Sequence, residues 1–188
     1  MNRAAVALLL VAPPALADVA ELSLRPHGEV RSGRLLRPDG AGGTTAAGDA
    51  FRYGAGLTLG LGVHFAWTLT ASYAYDTTTT LRRQPLDASV SEDLDAWRHD
   101  RHALLAGVTW TPSDALTPVV ALEAGAAAQL LRGEQTPAAE WGPVARASAG
   151  FEWKFKDFWG LALTGFAEHD AGLGYGGRLA FFGSGYLD

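Results

Sequence analysis

Histidines next to acidic side chains are the first groups in this sequence that could take part in chemistry. His169 lies between Glu168 and Asp170. A hydrolase built on this imidazole would also need a serine hydroxyl within hydrogen-bonding reach. The serines to weigh are Ser148, Ser184 and the loop residues Ser89 and Ser91, and none lies in a local nucleophile motif. We therefore expect no enzymatic activity, and His169 is the residue to test for the alternative, a rim hydrolase.

A second histidine pair, His99 and His102, raises the question of a metal. Their spacing of three would suit one face of a helix, but the polar segment around them indicates a loop that runs into a strand. We expect both at a solvated rim, with His102 pointing to lipid or its interface. The chain has no cysteine, which excludes thiolate ligands and disulfides. The sequence predicts no metal and no cofactor.

The composition is that of a folded, mildly acidic protein. Apolar residues make up 48% of the 188 residues, charged residues make up 19%, and the formal net charge is −5. Nucleic-acid binding requires a basic face, which this charge does not favour. We therefore expect a globular chain with no nucleic-acid partner.

The first 17 residues have the pattern of an export signal. Arg3 supplies the positive start, residues 4–11 form a small apolar run, and Ala15-Leu16-Ala17 fits a small-x-small cleavage site. We expect a signal peptide over residues 1–17 and one mature domain over residues 18–188. No later segment has the ~18 uncharged apolar residues that a membrane helix needs.

The elements that would position the charged side chains are long alternating strands. From Phe51 to Phe65, odd positions are apolar, whereas even positions are Arg, His, Thr or Gly. A period of two over fifteen residues predicts a strand, long enough to cross a membrane when tilted. The same alternation predicts eight strands, within Leu22–Arg31, Phe51–Phe65, Trp67–Tyr75, His102–Thr111, Val120–Leu130, Trp141–Phe155, Trp159–Thr164 and Tyr175–Phe181.

The predicted connections alternate in length. Those at His64–Trp67, Pro112–Pro118 and Lys156–Trp159 are tight, whereas Arg37–Ala50 and Thr77–Arg101 are long and polar. Short turns at one end and long loops at the other are typical of outer-membrane barrels.

Aromatic residues gather at both ends of the predicted strands, as expected where rings lie at lipid–water boundaries. We expect the girdles to comprise Tyr53, Phe65, Trp67, Tyr73, Tyr75, Trp110, Trp141, Trp153, Phe155, Trp159, Tyr175 and Phe181.

In its strands, turn asymmetry and girdles, the chain from Asp18 onward resembles the small bacterial outer-membrane barrels of the OmpA and OmpX type. The resemblance implies an all-β fold, an eight-stranded antiparallel up-and-down transmembrane barrel in the cell outer membrane, in contact with outer-membrane lipid and lipopolysaccharide. It also implies a closing strand with an aromatic end that the assembly machinery recognises. Tyr175–Phe181 fits that pattern, whereas residues 183–188 depart from it.

Charged residues on the inward faces must be paired or hydrated, because an unpaired buried charge is costly. Side chains fill the lumen of eight-stranded barrels, so we expect a closed lumen; a gated proton or ion path is the alternative. The predicted ion-pair network comprises Glu29, Arg31, Arg52, Glu123, Arg146, Glu152, Glu168 and Arg178.

Three functions are compatible with this pattern. The first is a structural or surface-interaction protein, whose long loops meet an extracellular ligand. The second is a lipid-modifying enzyme at the barrel rim. The third is a soluble periplasmic barrel like a lipocalin, in which the apolar face would point inward around a small apolar ligand. Periodicity alone does not distinguish the inner face from the outer face, and the girdles and turn asymmetry favour the membrane barrel.

Overall fold

Eight antiparallel strands form the part of the chain that the computed structural model describes. That part covers residues 21–38, 44–64, 66–80, 97–112, 116–132, 138–156, 158–170 and 172–186. Across these residues, no helix is long and apolar enough to span a membrane. The strands are β1 (Glu21–Pro38), β2 (Thr44–His64), β3 (Trp67–Thr80), β4 (Trp97–Trp110), β5 (Leu116–Arg132), β6 (Ala138–Lys156), β7 (Trp159–His169) and β8 (Leu173–Tyr186).

The strands close into a barrel in sequence order. Each strand pairs with the next one along the chain, and β8 pairs with β1, for example through Glu21 and Tyr186. The predicted eight-stranded antiparallel up-and-down barrel is confirmed. The residues after Phe182 belong to the closing strand, which runs on to Tyr186. Closure leaves no strand edge unpaired, which is the condition for spanning a bilayer with strands.

Two predicted loops are shorter than the sequence pattern indicated. Residues 44–50, assigned to the Arg37–Ala50 loop, belong to β2, and both ends of the Thr77–Arg101 segment belong to β3 and β4. The prediction was wrong there because the sequence of these strand ends does not alternate between large apolar and polar residues, although the strand pairing continues. Residues 39–43, residues 81–96 and the predicted signal peptide lie outside the described residues.

The barrel is polar inside and apolar outside. Arg52 on β2 has 0% exposure, whereas its neighbours Phe51 and Tyr53 are 76% and 62% exposed. The soluble lipocalin-like alternative is therefore wrong, because it requires the apolar face to line the lumen. The outward apolar face has the polarity expected of a wall surrounded by lipid.

Inward glycines let the barrel wall close tightly around its contents. A Cβ on Gly54 would lie 2.1 Å from the carbonyl oxygen of Tyr75, and one on Gly150 would lie 2.0 Å from that of Leu163. Both distances are far shorter than a van der Waals contact. On the outer face, a Cβ on Gly177 would meet no atom closer than 3.9 Å. Small residues at inward positions thus set the width of the lumen.

The two ends of the barrel differ in their connections. At one end, called here the turn end, β2–β3, β4–β5 and β6–β7 are joined by short turns, and β1 begins and β8 ends. At the other end, called the loop end, the longest connection joins β3 to β4. The lumen therefore has a turn-end region and a loop-end region.

Candidate functional site

Ionised side chains from all eight strands and from the residue after β7 meet inside the barrel. Each comes from the inward set of its strand, because successive strand residues point to opposite faces. Five arginines and five carboxylates form this cluster, called here the lumen network. Its members are Arg31, Arg52, Arg101, Arg146, Arg178, Glu29, Asp76, Glu123, Glu168 and Asp170.

Glu168 on β7 is the centre of the lumen network. Its Oε1 accepts hydrogen bonds from Arg31 and from Nη2 of Arg101, the latter at 2.6 Å. Its Oε2 accepts a bond from Nε of Arg146 at 2.8 Å. Glu168 is 2% exposed. One carboxylate thus joins guanidinium groups from β1, β4 and β6, so it ties together strands on opposite sides of the barrel.

On the loop-end side of Glu168, Asp76 and Asp170 accept hydrogen bonds from two of the same arginines. Arg101 Nη1 donates to Asp76 Oδ2 at 2.9 Å, and Arg31 Nη2 donates to Asp170 Oδ2 at 3.0 Å. Arg52 Nη1 lies 3.5 Å from Asp76 Oδ1. The guanidinium fork presents several donors in one plane, so each arginine can bridge two acids.

Toward the middle of the barrel, Glu29 continues the lumen network. It accepts from Arg146 at 3.1 Å and from Arg178 at 3.4 Å. Arg178 also lies 3.8 Å from Glu123 Oε2, and the hydroxyl of Ser72 donates to Glu123 Oε1 at 2.6 Å. The formal charges of the ten members cancel. Burial of this many charges is tolerable only when each has opposite charge nearby and most of its hydrogen bonds made.

Near the turn end, Arg25 and Glu152 form a separate ion pair. The Arg25 guanidinium carbon lies 5.0 Å from the centre of the Phe182 ring. Arg25 retains 16% side-chain exposure, whereas the Glu152 side chain is 1% exposed. The predicted member Glu152 thus lies apart from the lumen network, and the other seven predicted members lie within it.

Sequence reasoning missed three members of the lumen network, Asp76, Arg101 and Asp170. Asp76 and Arg101 fell in the predicted Thr77–Arg101 loop or next to it, and Asp170 follows β7. The signal was present, because the inward alternation of β3 (Ser72, Ala74) continues through Asp76. If β3 had been extended by the alternation of inward and outward positions rather than by hydropathy, it would have included Asp76.

The histidines lie in different environments. His99 is 2% exposed, and its Nε2 lies 3.5 Å from Arg52 inside the lumen. The expected solvated position for His99 is wrong, because β4 begins before it and turns it inward. His102 faces outward, where its Nδ1 lies 2.7 Å from the Tyr73 hydroxyl. The residues described hold no group of three or more potential metal ligands.

The serine and histidine considered for hydrolysis face opposite sides of the wall. His169 is exposed on the outer face, next to inward Glu168, whereas Ser148 occupies an inward position on β6 between the outward Ala147 and Ala149. Ser184 pairs with Ser23 at the turn end. The backbone therefore keeps Ser148 and Ser184 away from His169, so these two serines give no support to a rim hydrolase, and Ser89 and Ser91 lie outside the described residues.

Large aromatic side chains project outward near both ends. At the turn end, the rings of Trp159 and Phe181 are stacked with centroids 5.3 Å apart, and those of Trp153 and Phe155 are 6.0 Å apart. Phe65 lies outside the described residues. Outward positions are also occupied by Trp67, Trp110, Tyr53, Tyr73, Tyr75, Trp141 and Tyr175.

No protein-family model matches the sequence, and no curated protein matches it either. Solved structures do resemble the barrel. Ail, the attachment invasion locus protein of Yersinia pestis, was solved in complex with the heparin analogue sucrose octasulfate. It is 12% identical to this chain and superposes with a TM-score of 0.56 over 89% of this chain and 97% of its own.

Two further structures show the same likeness. Neisserial surface protein A is 7% identical, with a TM-score of 0.60 over 89% of this chain and 99% of its own. The N-terminal β-barrel domain of Pseudomonas aeruginosa OprF is 13% identical, with a TM-score of 0.52 over 88% and 97%. At these identities the likeness concerns the fold, and it confirms the resemblance predicted from strand pattern. The chain has the fold of the small eight-stranded outer-membrane β-barrels.

Proposed function

We propose that this protein is an outer-membrane barrel with a closed lumen, which serves a structural or surface-interaction role rather than conduction or catalysis. The observation that carries the proposal is the lumen network. Five guanidinium groups and five carboxylates meet in the lumen between the middle of the barrel and the loop end, and Glu168 joins arginines from three other strands there. Opening a path would require separating buried opposite charges, which is costly.

Placement in a membrane is supported by the outer wall. Leu104, Leu122 and Leu163 are 65%, 59% and 64% exposed in the middle of their strands. Apolar surface continuous around a barrel is far larger than the patches that soluble monomers leave exposed. Lipid would cover it, and the outward aromatic rings at both ends would lie at the lipid–water boundaries, in contact with lipopolysaccharide on the outer side.

Orientation follows from the connections. Outer-membrane barrels keep short turns in the periplasm and longer loops outside. We therefore place the turn end in the periplasm and the loop end at the cell surface. The closing strand β8, which ends at Tyr186, would be the segment presented to the assembly machinery during insertion.

The charge of the outer connections bears on the kind of surface ligand. Residues 81–96 carry two arginines against four acidic residues, and residues 39–43 and 133–137 each carry one acidic residue and no basic one. The likeness to Ail is therefore a poor guide to ligand chemistry, because like charges repel a sulfated polyanion. We propose that the loops meet a neutral or cationic partner.

The membrane proposal is tested by fractionation and gel mobility of the expressed protein. We expect it in the outer-membrane fraction, with an SDS-gel band that migrates differently before and after boiling, because a closed barrel resists detergent unfolding at room temperature. A protein found free in the periplasm with no mobility shift would overturn the placement. Reconstitution in a planar bilayer then tests the closed lumen, since a stable open conductance in the wild type contradicts it.

The ligand proposal has a separate test. Calorimetric titration of the refolded barrel with sucrose octasulfate should give no saturable binding. Deletion of residues 84–93, with the β3–β4 strands left intact, should leave the gel shift unchanged. Saturable binding of the sulfated probe that disappears in the deletion variant would contradict the predicted ligand class while leaving the membrane placement untouched.

A further inference from the structure

The outer wall of the barrel has a groove over β4, β5, β6 and β7, called here the wall groove. Its volume is about 460 Å³, which is within the usual range for sites that hold a small ligand. Four neighbouring strands span three strand spacings, or about 14 Å. The wall groove is thus large enough to hold part of a small amphipathic molecule.

Five outward alanines from these four strands form the floor of the wall groove. They are Ala106, Ala124, Ala145, Ala147 and Ala167. Cross-strand pairing places the first three in one row and the last two in the next row. Larger side chains form the border, where Leu122 is 59% exposed and Leu173 is 69% exposed. The groove therefore exists because methyl groups are bordered by leucines, and its floor is apolar.

His169 is a polar side chain at the loop-end border of the wall groove. It is the last residue of β7, it pairs with Ala145 on β6 and with Leu173 on β8, and it is exposed. Its ring forms no hydrogen bond or ion pair with any residue that the structure describes. The outward His102, in contrast, is bonded to Tyr73. His169 is therefore available to a ligand.

The charged residues behind the wall groove do not serve a ligand in it. Glu123, Arg146 and Glu168 contribute to the lining, yet they are 6%, 2% and 2% exposed and their side chains belong to the lumen network. The polar group that the groove itself offers is the imidazole of His169. A polar side chain that faces lipid without a partner is costly. The fitting ligand therefore combines an apolar portion for the alanines with an acceptor for the imidazole N–H.

We propose that the wall groove binds one acyl chain of a phosphorylated lipid from the outer leaflet, with the phosphate group at His169. The proposal rests on the membrane placement and orientation proposed above, which put the loop end in the headgroup layer of that leaflet. An acyl chain is narrow and flexible, so it can lie between the bordering leucines and contact the alanine methyl groups. A phosphate oxygen accepts a hydrogen bond from the imidazole, and the bond is stronger when both groups are charged.

A second copy of the barrel fits the wall groove less well than a lipid does. The wall of the second copy would present apolar side chains to His169, and burying an imidazole without a hydrogen-bond partner is costly. A phosphorylated lipid has an acceptor at the end of its apolar chain, so it satisfies the ring and covers the alanines together. The apolar floor and the unpartnered ring at its border thus select the same ligand.

The experiment is an NMR titration of the refolded full chain, with labelled alanine methyl groups, in maltoside micelles that contain no phosphate. The probe is myristoyl-lysophosphatidic acid, and the matched probe is monomyristoylglycerol, which lacks only the phosphate. The phosphorylated probe should cause saturable shifts at Ala145 and Ala167. Ala55 and Ala71, which are exposed on the outer faces of β2 and β3, should show none. Equal shifts on both sides of the barrel would indicate a general lipid coat and overturn the proposal.

The variant Ala145→Leu fills the wall groove with an apolar side chain. The affinity for the phosphorylated probe should fall at least about tenfold, because its chain loses contact with two or more methylene groups' worth of surface. The control Ala71→Leu adds the same side chain to the outer face of β3 and should leave the affinity unchanged. Both leucines face lipid, so the gel shift of the folded barrel should be kept. A variant Ala145→Leu that binds like the wild type would contradict the proposed site.

The variant His169→Leu tests the headgroup contact separately. The wild type should prefer the phosphorylated probe over monomyristoylglycerol by about tenfold, as expected for a hydrogen bond to a charged group. This preference should disappear in His169→Leu, return in His169→Arg and persist in the control His102→Leu. A preference that survives in His169→Leu, or that is lost equally in both leucine variants, would overturn the assignment. A barrel that shows the gel shift but binds neither probe would refute the wall groove as a lipid site while leaving the membrane placement intact.

Discussion

The lumen near the loop end and the lumen near the turn end are enclosed by the same eight strands, yet they are filled differently. Near the loop end, guanidinium and carboxylate groups satisfy one another, with Glu168 accepting bonds from three strands. Near the turn end, the Arg25–Glu152 pair borders a cavity, the turn-end chamber, which is lined mainly by threonine, serine and alanine. Long side chains fill one region with protein atoms, whereas short hydroxyl side chains leave room for solvent.

The two regions are stabilised by different interactions. In the loop-end region the charged groups depend on specific partners, so removal of one group leaves others buried without compensation. In the turn-end region, water that enters the cavity can form new hydrogen bonds when the wall changes. Matched substitutions in the two regions should therefore lower the free energy of unfolding by different amounts.

The largest effect should come from Glu168→Gln. The side chain keeps its shape, but three guanidinium groups lose their shared negative charge, and the free energy of unfolding should fall by about 3–5 kcal/mol. The measurement is guanidinium-induced unfolding in phospholipid bilayers, followed by tryptophan fluorescence and gel mobility. A loss below about 1 kcal/mol would mean that the lumen network does not hold the loop end together.

The matched substitution at the turn end is Glu152→Gln, which also removes one buried carboxylate charge. Its partner Arg25 keeps 16% exposure, so water can solvate the unpaired guanidinium. The loss in unfolding free energy should be roughly half that of Glu168→Gln or less, in the same assay. Equal losses of unfolding free energy at the two positions would contradict the expected difference in stability between the regions.

Glycine substitutions test whether the wall is equally tight around both regions. Gly54→Ala and Gly150→Ala place a Cβ about 2 Å from a neighbouring carbonyl oxygen, and each should cost about 1–3 kcal/mol through displaced strands. The outward Gly177→Ala, with 3.9 Å of clearance, serves as the control and should leave stability nearly unchanged. The readout is the temperature at which the unboiled gel band is lost.

The finest comparison uses two neighbouring positions on β3. Ser72→Ala removes a hydroxyl that donates to Glu123 at 2.6 Å and should cost about 1.5 kcal/mol, since the acceptor is charged. Thr70→Val removes a hydroxyl that faces the turn-end chamber and should cost less than about 1 kcal/mol. Both are measured by equilibrium unfolding, and the reverse order would show that the chamber wall is as strictly paired as the lumen network.

The fold was largely predictable because a membrane-spanning strand must keep apolar residues on its outer face. That requirement produced the clear alternation of Phe51–Phe65 and the correct number of strands. It applies only where lipid touches the wall. Where a strand has no apolar residue at every second position, the pattern that marks it is lost, as in Thr77–Thr80 and residues 98–101.

The same limit explains why the lumen site was only partly predicted. Parity along recognised strands placed Glu29, Glu123 and Arg146 inward, but not Asp76 or Arg101, whose strand ends appeared to be loop. Which arginine meets which acid depends on strand register and barrel tilt. Neither is contained in a single-strand pattern, because register is fixed by pairing with neighbours and by turn geometry.

The chain separation of the lumen partners has a consequence for the lifetime of the folded state. Arg31 and Glu168 are 137 residues apart in the sequence, and the closing strand β8 lies between their strands. We expect such contacts to form with barrel closure, and contacts absent from the folding transition state slow unfolding rather than speed folding. Once inserted, the barrel should therefore persist mainly through a low rate of opening, and a protein embedded in an exposed membrane benefits from that kinetic protection without needing to refold.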